Sequence, residues 1–200
     1  MSDLIDFYFD FSSPYSYLAS EMIDALAAKY GREVSWRPIL LGAAFQKSGL
    51  PLLVTVPLKG EYSLRDFDRS ARFYDIPFKF PAKFPLATQS AARCYYWLQG
   101  QDPGKAREFA HAVFRTYWID GRDVSDLAVV QEIAAGLGID REAMAEAVAR
   151  PELKDRLKSE TDGAIAKGMF GAPYIIADGE PFWGADRLPQ LEKWLATGGF

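Results

Sequence analysis

The segment Ser12-Ser13-Pro14-Tyr15-Ser16 has the residue types and the position to hold an anionic sulfur atom. It follows the apolar run 4–11 and opens a stretch with helical spacing, so it lies where a strand ends and a helix begins. Backbone N–H groups at a helix N-terminus stabilise anions and lower the pKa of a thiol placed there. The Ser13 hydroxyl adds a donor, but the segment contains no cysteine, so the thiol would belong to another molecule. The alternative is an ordinary helix start, with Ser13 as cap and Pro14 as first residue.

A second motif, Phe170-Gly171-Ala172-Pro173-Tyr174, precedes the last apolar strand pattern of the chain. A cis peptide bond before Pro173 would let Ala172 offer its backbone N–H and C=O to an extended peptide, which pairs like an added strand. The alternative is a trans proline that begins an edge strand.

The third motif is Trp183-Gly184-Ala185-Asp186-Arg187, between the last strand and the last helix. The Asp186 carboxylate could bind the ammonium group of a ligand. Its alternative role is that of N-cap for the final helix, because aspartate is favoured at that position.

The chain has a single cysteine, Cys94, and a single histidine, His111. This excludes an internal disulfide framework and a Cys/His zinc site, and no Gly-x-Ser-x-Gly turn accompanies His111 to form a triad. We interpret Cys94 as an inert buried thiol and His111 as a surface or interhelix residue. A catalyst of this composition would use hydroxyls, carboxylates, lysines and a borrowed cofactor.

Composition places the chain among ordinary globular proteins. It has 200 residues, 49% hydrophobic and 25% charged, which excludes intrinsic disorder. The net charge of −4 argues against nucleic acid as a partner. No run approaches the length of a membrane span and the first residues do not resemble a leader, so we expect no membrane partner and a cytoplasmic location.

The order of predicted elements is βαβ, then helices, then ββα. Strands are predicted at 4–11, at 34–41 on the sheet edge because of Pro38, and at 173–177, with a hairpin turn at Asp178-Gly179 and a return strand at 180–183. Helices are predicted from Pro14 to Gly31, at about 62–74, 87–99, 103–119, 124–136, 140–150 and 152–167, and at 186–196, with 42–57 irregular. The fold class is α/β: a thioredoxin-like fold with an inserted all-helical domain. Residues 1–41 and 168–200 form the thioredoxin-like domain, and 42–167 the helical one.

Three segments carry a family resemblance: IDFYFDFSSPYSYLAS (5–20), WRPILLGAAFQKSG (36–49) and FGAPYIIADGEPFWGADRL (170–188). With the helical insertion, they resemble the 2-hydroxychromene-2-carboxylate isomerases and the related kappa-class glutathione transferases, over essentially the whole chain. The resemblance implies glutathione as cofactor.

The family's glutathione contacts match positions of this chain. Ser13 matches the serine that hydrogen-bonds the glutathione sulfur, and Ala172, before Pro173, matches the residue whose backbone pairs with the cysteinyl part. Trp183, Gly184, Ala185 and Asp186 match the stretch that binds the γ-glutamyl end. Lys59 resembles a kappa-class lysine that reaches the tripeptide's carboxylate; its alternative reading is a solvated loop lysine.

The resemblance is weaker on the substrate side. The naphthalene-pathway isomerases have a lysine where Phe45 stands and a tyrosine where Phe84 stands, and Leu50 replaces a frequent asparagine, so the substrate pocket is more apolar here. The expected reaction is the cis–trans isomerisation of a 2-hydroxychromene-2-carboxylate-like acid towards a trans-benzylidenepyruvate type product. In it, the thiolate adds to a conjugated small aromatic acid and leaves again.

Two other functions stay open, namely a glutathione transferase that conjugates its substrate and a non-catalytic module that binds thiols or peptides. The resemblance also suggests a homodimer. Arg65, Arg69 and Arg72 form a basic stripe at helical spacing, which we interpret as a solvated face with an alternative role in steering anions.

Overall fold

The computed structural model describes residues 4–200, and a four-stranded mixed sheet positions the three motifs. Its strands are β1 (Leu4–Phe9), β2 (Glu33–Pro38), β3 (Tyr174–Ala177) and β4 (Glu180–Trp183), in the order β2-β1-β3-β4. Strand β1 runs parallel to β2, while β3 is antiparallel to β1 and β4. The predicted edge position of β2 is confirmed, and β1 lies inside the sheet.

The β3–β4 hairpin closes at Asp178-Gly179, as predicted. Both residues have positive φ, 54° and 88°, which two-residue hairpin turns require and which glycine adopts without a side-chain clash.

Ten α-helices lie within the described residues. They are α1 (Pro14–Ser20), α2 (Ile23–Ala28), α3 (Leu41–Ser48), α4 (Lys59–Phe73), α5 (Gln89–Gln99), α6 (Pro103–Trp118), α7 (Leu127–Gly136), α8 (Arg141–Ala149), α9 (Pro151–Ala166) and α10 (Leu188–Thr197). The helices predicted between 87 and 167 agree with α5–α9 to within a few residues.

The prediction of a single first helix from Pro14 to Gly31 is wrong, because the helix is interrupted between α1 and α2. The Ser20 hydroxyl hydrogen-bonds the carbonyl of Tyr17, and serine side chains that bond nearby backbone compete with helical pairing. At the break, the Glu21 carboxylate is held by Arg115 of α6, 2.7 Å away. Helix α1 therefore has only seven residues.

The prediction that 42–57 is irregular is also wrong. Helix α3 and a short 3-10 helix, Leu53–Thr55, occupy much of it. Gly49 ends α3 in the left-handed conformation, at φ 72°, and its N–H bonds the carbonyl of Phe45. This glycine is the C-cap of a helix and not part of an extended loop.

The main core is aromatic and continuous between the sheet and the central helices. Phe9 of β1 lies 5.3 Å from the ring of Trp36 in β2 and 5.4 Å from that of Phe114 in α6. All three side chains are buried, so this contact fixes the helical segment on one face of the sheet. Within residues 4–200, no helix is long and apolar enough to cross a membrane.

Candidate functional site

Ser13 lies in the turn between β1 and α1, as its sequence context predicts. It is the N-cap of α1: its Oγ accepts a hydrogen bond from the Ser16 N–H at 3.1 Å. The same hydroxyl donates to the carbonyl oxygen of Ala172, also at 3.1 Å. The geometry is therefore compatible with both roles of Ser13, that of helix cap and that of hydrogen-bond donor to a thiolate. The hydroxyl also joins two motifs that are 159 residues apart in sequence.

Ala172 has a free backbone N–H at this junction. The peptide bond between Ala172 and Pro173 is cis, and β3 begins only at Tyr174. Across the described residues, the Ala172 N–H has no hydrogen-bond partner, while its carbonyl accepts only the Ser13 hydroxyl. Two backbone groups beside Ser13 are thus in position to pair with an extended peptide.

Trp183, at the end of β4, stands against the same loop. Its indole lies 4.7 Å from the ring of Phe170, edge to face, and 52% of the residue is exposed. A Cβ atom at Gly171 would collide with the Trp183 Nε1, so glycine is needed there for the indole to pack on the loop. The Gly184 N–H donates to the carbonyl of Pro173 at 3.0 Å, which ties the third motif to the second.

Asp186 lies in a short 3-10 helix, Ala185–Arg187, which packs against α1. The alternative in which Asp186 caps the last helix is wrong: the N-cap of α10 is Arg187, and the Asp186 carboxylate pairs with the Arg187 guanidinium at 3.0 Å. Ala185 is buried beneath this turn, while Asp186 is exposed. A Cβ at Gly184, whose φ is 109°, would meet the Asp186 carboxylate.

Asp66 of α4 is a site residue that sequence reasoning missed. The Tyr15 hydroxyl, two residues beyond Ser13, donates a hydrogen bond to its carboxylate. Burial raises the pKa of Tyr15, and the charges of Asp66 and, more weakly, Asp186 raise it further. Two carboxylates therefore act on one tyrosine beside Ser13, and each is also paired with an arginine, Asp66 with Arg69 and Asp186 with Arg187. In the sequence, nothing distinguishes Asp66 from the other acidic residues of α4.

Lys59 is the first residue of α4, not a loop residue, and it is exposed. Its ammonium group makes no ion pair or hydrogen bond within the described part of the chain. Helix α4 packs against α1, so this end of the molecule offers an unengaged cation on the element next to Ser13. In the basic stripe, Arg69 pairs with Asp66 and Arg72 with Asp68, as on a solvated helix face.

Phe45 and Phe84, the predicted substrate contacts, are both half-buried. Phe45 lies on α3, and its neighbour Ala44 packs in the same small cluster as Ala172. Phe84 contacts Phe80, with ring centroids 5.1 Å apart. Two residues on, the Leu86 N–H donates to Ser12 Oγ at 2.9 Å, which brings the Phe84 loop to the Ser13 turn.

Cys94 and His111 lie away from this site. Cys94 is fully buried, and burial raises the pKa of its thiol, as expected of an inert cysteine. His111 is half-buried on α6, with its Nδ1 3.4 Å from Glu21. Burial alone would raise the pKa of Glu21, yet its hydrogen bonds with His111 and Arg115 lower it to about 2. Among residues 4–200, no three histidine, cysteine or acidic side chains are grouped to hold a metal ion.

Comparison with known proteins agrees with this geometry. The sequence model of one family, described as a DSBA-like thioredoxin domain, matches residues 4–196. A 2-hydroxychromene-2-carboxylate isomerase of Sphingobium xenophagum is 35% identical over 197 residues, covering 98% of this chain and 99% of that protein. Glutathione S-transferase kappa 2 of Caenorhabditis elegans is 29% identical, covering 96% of this chain and 92% of that protein. A solved structure of a 2-hydroxychromene-2-carboxylate isomerase superposes with a TM-score of 0.87 at 29% identity, over 96% of this chain and 94% of that one.

Proposed function

Because the chain belongs to the family of DSBA-like thioredoxin domains, and isomerases resemble it over its full length, we propose that it is a glutathione-dependent isomerase. Its substrate would be an acid of the 2-hydroxychromene-2-carboxylate type, and the change a cis–trans isomerisation through reversible addition of a thiol. The observation that carries the proposal is the pairing of the Ser13 hydroxyl with Ala172, whose N–H is free, in a site that has no thiol of its own.

The backbone of Ala172 fits the cysteinyl part of glutathione. A free N–H and a carbonyl on one residue can exchange two hydrogen bonds with an extended peptide, as between neighbouring strands. The Ser13 hydroxyl has one hydrogen to donate, and in this structure it donates that hydrogen to the Ala172 carbonyl. When the hydroxyl turns towards a thiolate, the carbonyl is released to accept the N–H of the peptide.

The two ends of the tripeptide fit charged groups on either side. We assign the γ-glutamyl ammonium to Asp186, with Asp66 nearby, and the stretch Trp183–Ala185 to the wall beside it. Lys59 would bind a carboxylate of the tripeptide, since its ammonium group is exposed and unengaged within residues 4–200. Charged groups of opposite sign at the two ends of the site would set the direction in which the ligand binds, and the thiol would then face Ser13.

When bound, glutathione supplies the thiolate that adds to the conjugated acid and leaves again. The chain's own part is to keep that sulfur ionised and oriented. A hydrogen bond to a charged group contributes about 1.5–3 kcal/mol, and a helix N-terminus about 0.3–1 kcal/mol. Because α1 has only seven residues, we expect the Ser13 hydroxyl to contribute most of this stabilisation.

Phe45 and Phe84 would line the substrate side. Both come from segments that reach the Ser13 turn, α3 and the loop before α5. Two phenylalanines provide flat apolar surface without hydrogen-bond donors, so we expect preference for an aromatic part of the substrate with few polar substituents.

Isothermal titration with glutathione tests the proposal. We expect heat of binding at about millimolar concentration or below, which corresponds to at least about 4 kcal/mol of binding free energy. S-methylglutathione, which cannot ionise at sulfur, is the matched ligand and should bind more weakly. If reduced glutathione gives no binding at millimolar concentration, the proposal fails.

The thiol balance separates the isomerase from a transferase, which the kappa-class relatives favour as second candidate. An isomerase changes the absorbance of its substrate while the concentration of free thiol stays constant. A transferase consumes one thiol for each product. If glutathione binds but neither activity is found, a non-catalytic module that binds thiols or peptides is the remaining interpretation.

The proposal includes a cytoplasmic homodimer. A cytoplasmic location suits an enzyme that needs a reduced thiol, because the glutathione pool there keeps thiols reduced. A second copy would cover large apolar side chains exposed on the segment 50–73, among them Leu58 and Phe73, at 89% and 77% exposure. We also propose the division into a thioredoxin-like unit, 1–41 with 168–200, and a helical unit, 42–167.

A further inference from the structure

A buried carboxyl group, that of Asp10, lies directly behind the Ser13 turn. Only 6% of the residue is exposed. Its Oδ1 accepts hydrogen bonds from the Ser12 N–H and the Thr88 hydroxyl, both at 2.9 Å, and its Oδ2 accepts the Leu41 N–H at 2.9 Å. The Asp10 carbonyl also accepts the Ser13 N–H at 2.9 Å. One residue thus bonds three separate segments of the chain.

Two of those segments carry the residues assigned to the substrate side. Leu41 is the first residue of α3, which holds Phe45, and it lies 31 residues from Asp10 in sequence. Thr88 precedes α5, follows the Phe84 loop and lies 78 residues away. Since both bonds end on the same carboxyl group, α3 and the Phe84 loop share one anchor with the Ser13 turn.

The chemistry of this carboxyl group needs an explanation. The three groups that hydrogen-bond the Asp10 carboxyl are neutral donors, two backbone N–H groups and one hydroxyl. None of the described residues supplies a cation to this carboxyl. Burial raises the pKa of Asp10, against the three hydrogen bonds, which favour the charged form. A buried carboxyl without a cation is costly to the fold, so a contribution to stability alone is a poor account of it.

We propose that Asp10 is a positioning residue: it fixes α3 and the Phe84 loop relative to Ser13 and so determines the shape of the substrate side. The inference rests on the proposed function for the roles of Phe45 and Phe84. It predicts that loss of the Asp10 bond to Leu41 or to Thr88 disturbs substrate binding much more than glutathione binding, since neither residue is a partner in the Ser13–Ala172 hydrogen bond.

The test compares Thr88→Val with Thr88→Ser. Valine keeps the shape of the side chain and removes the hydroxyl that Asp10 accepts, while serine retains it. For Thr88→Val, we expect KM for the conjugated acid to rise by about 10-fold, since small displacements of positioning groups cost one to two orders of magnitude. The dissociation constant of glutathione should change by less than about twofold, and Thr88→Ser should restore KM to within about twofold.

A second measurement is independent of activity. In Asp10→Asn, the amide group cannot accept three hydrogen bonds with both atoms, so the Leu41 N–H or another donor loses its partner. Hydrogen exchange should accelerate at Leu41 and in residues 84–88, while amides within α6 keep their rates. The control for general destabilisation is Val130→Ala in α7, a buried site far from these bonds in sequence, which should leave KM unchanged.

The outcomes decide the two proposals separately. If wild-type protein fails to bind glutathione, the proposed function falls, and the exchange measurement still decides the role of Asp10. If wild-type protein binds and turns over substrate, but Thr88→Val leaves KM unchanged or raises it no more than Val130→Ala does, the positioning role is wrong. Accelerated exchange throughout the chain in Asp10→Asn, without a local excess at Leu41 or in residues 84–88, overturns it as well.

Discussion

Replacement of Ser13 by alanine should cause two losses, one of fold stability and one of thiolate stabilisation, which can be measured apart. The first is the loss, in the free protein, of the cap to the Ser16 N–H and of the bond to the Ala172 carbonyl, both at 3.1 Å; a serine cap contributes about 1 kcal/mol and a typical hydrogen bond about 0.5–1.5 kcal/mol of stability. The second is the loss of the bond to the thiolate of bound glutathione, worth about 1.5–3 kcal/mol. At about 1.4 kcal/mol for each pKa unit, Ser13→Ala should raise the pKa of the bound thiol by about one to two units.

The expected loss of rate is smaller than the loss of thiolate. A thiol of higher pKa is the better nucleophile once ionised, with a Brønsted coefficient of about 0.4–0.5. At a pH below the pKa of the bound thiol, this compensation reduces a fall of 10- to 100-fold in thiolate to a fall of about 3- to 16-fold in kcat/KM. A much larger loss would mean that Ser13 does more than stabilise the sulfur.

The assay follows the ultraviolet absorbance of the thiolate in the glutathione complex as pH is varied, beside denaturant unfolding of the free protein. Asp140→Ala is the matched control, because Asp140 caps α8 through the Ala143 N–H at 2.8 Å and lies in another part of the chain. It should lose about 1 kcal/mol of stability from the cap alone, with no change in the thiol titration. The same thiol pKa in Ser13→Ala as in wild-type protein would refute the reasoning.

Three further changes have expected outcomes. Gly184→Ala places a Cβ against the Asp186 carboxylate, so glutathione affinity should fall about 10-fold in calorimetry, whereas Gly179→Ala, with a similar positive φ and open space, should lose only stability. Lys59→Met should weaken binding of glutathione by about 3- to 10-fold. It should leave unchanged the affinity for glutathione ethyl ester, in which the glycyl carboxylate is esterified. Because the pKa of Glu21 is lowered in the folded state, from 4.5 to about 2, its stabilisation is present above pH 4.5 and lost as pH falls towards 2; the difference in Tm between wild-type protein and Glu21→Gln should shrink over that window.

The parts of the site that sequence reasoning placed correctly are those that short motifs encode. The Ser13 turn follows from an apolar strand, a cap and a proline within a few residues, and the β3–β4 hairpin follows from Asp178-Gly179. Backbone requirements of this kind are local, so the residue types reveal them without knowledge of the fold.

The parts that it misjudged depend on contacts between distant segments. The break after Ser20 is held by Glu21 through Arg115, which is 94 residues away, and the Tyr15–Asp66 bond spans 51 residues. Helix α3, in the segment 42–57 predicted to be irregular, has a different reason: a left-handed glycine, Gly49, ends it, and such a glycine is equally typical of a loop. Hydrophobic periodicity reports neither contacts between distant segments nor the backbone conformation of a glycine.

The absence of sulfur at this site restricts the chemistry to reactions without net redox change at the protein. The residues that open α1, Ser13 and Ser16, are serines, and Cys94 is fully buried, with the pKa of its thiol raised by burial. The chain therefore cannot store two electrons in a disulfide of its own. Addition and departure of an external thiolate need none, whether the thiol leaves again or stays in the product. The choice between isomerase and transferase thus falls to the substrate side, where, under the role proposed for Asp10, the position of α3 and of the Phe84 loop would determine which acid is held over the sulfur.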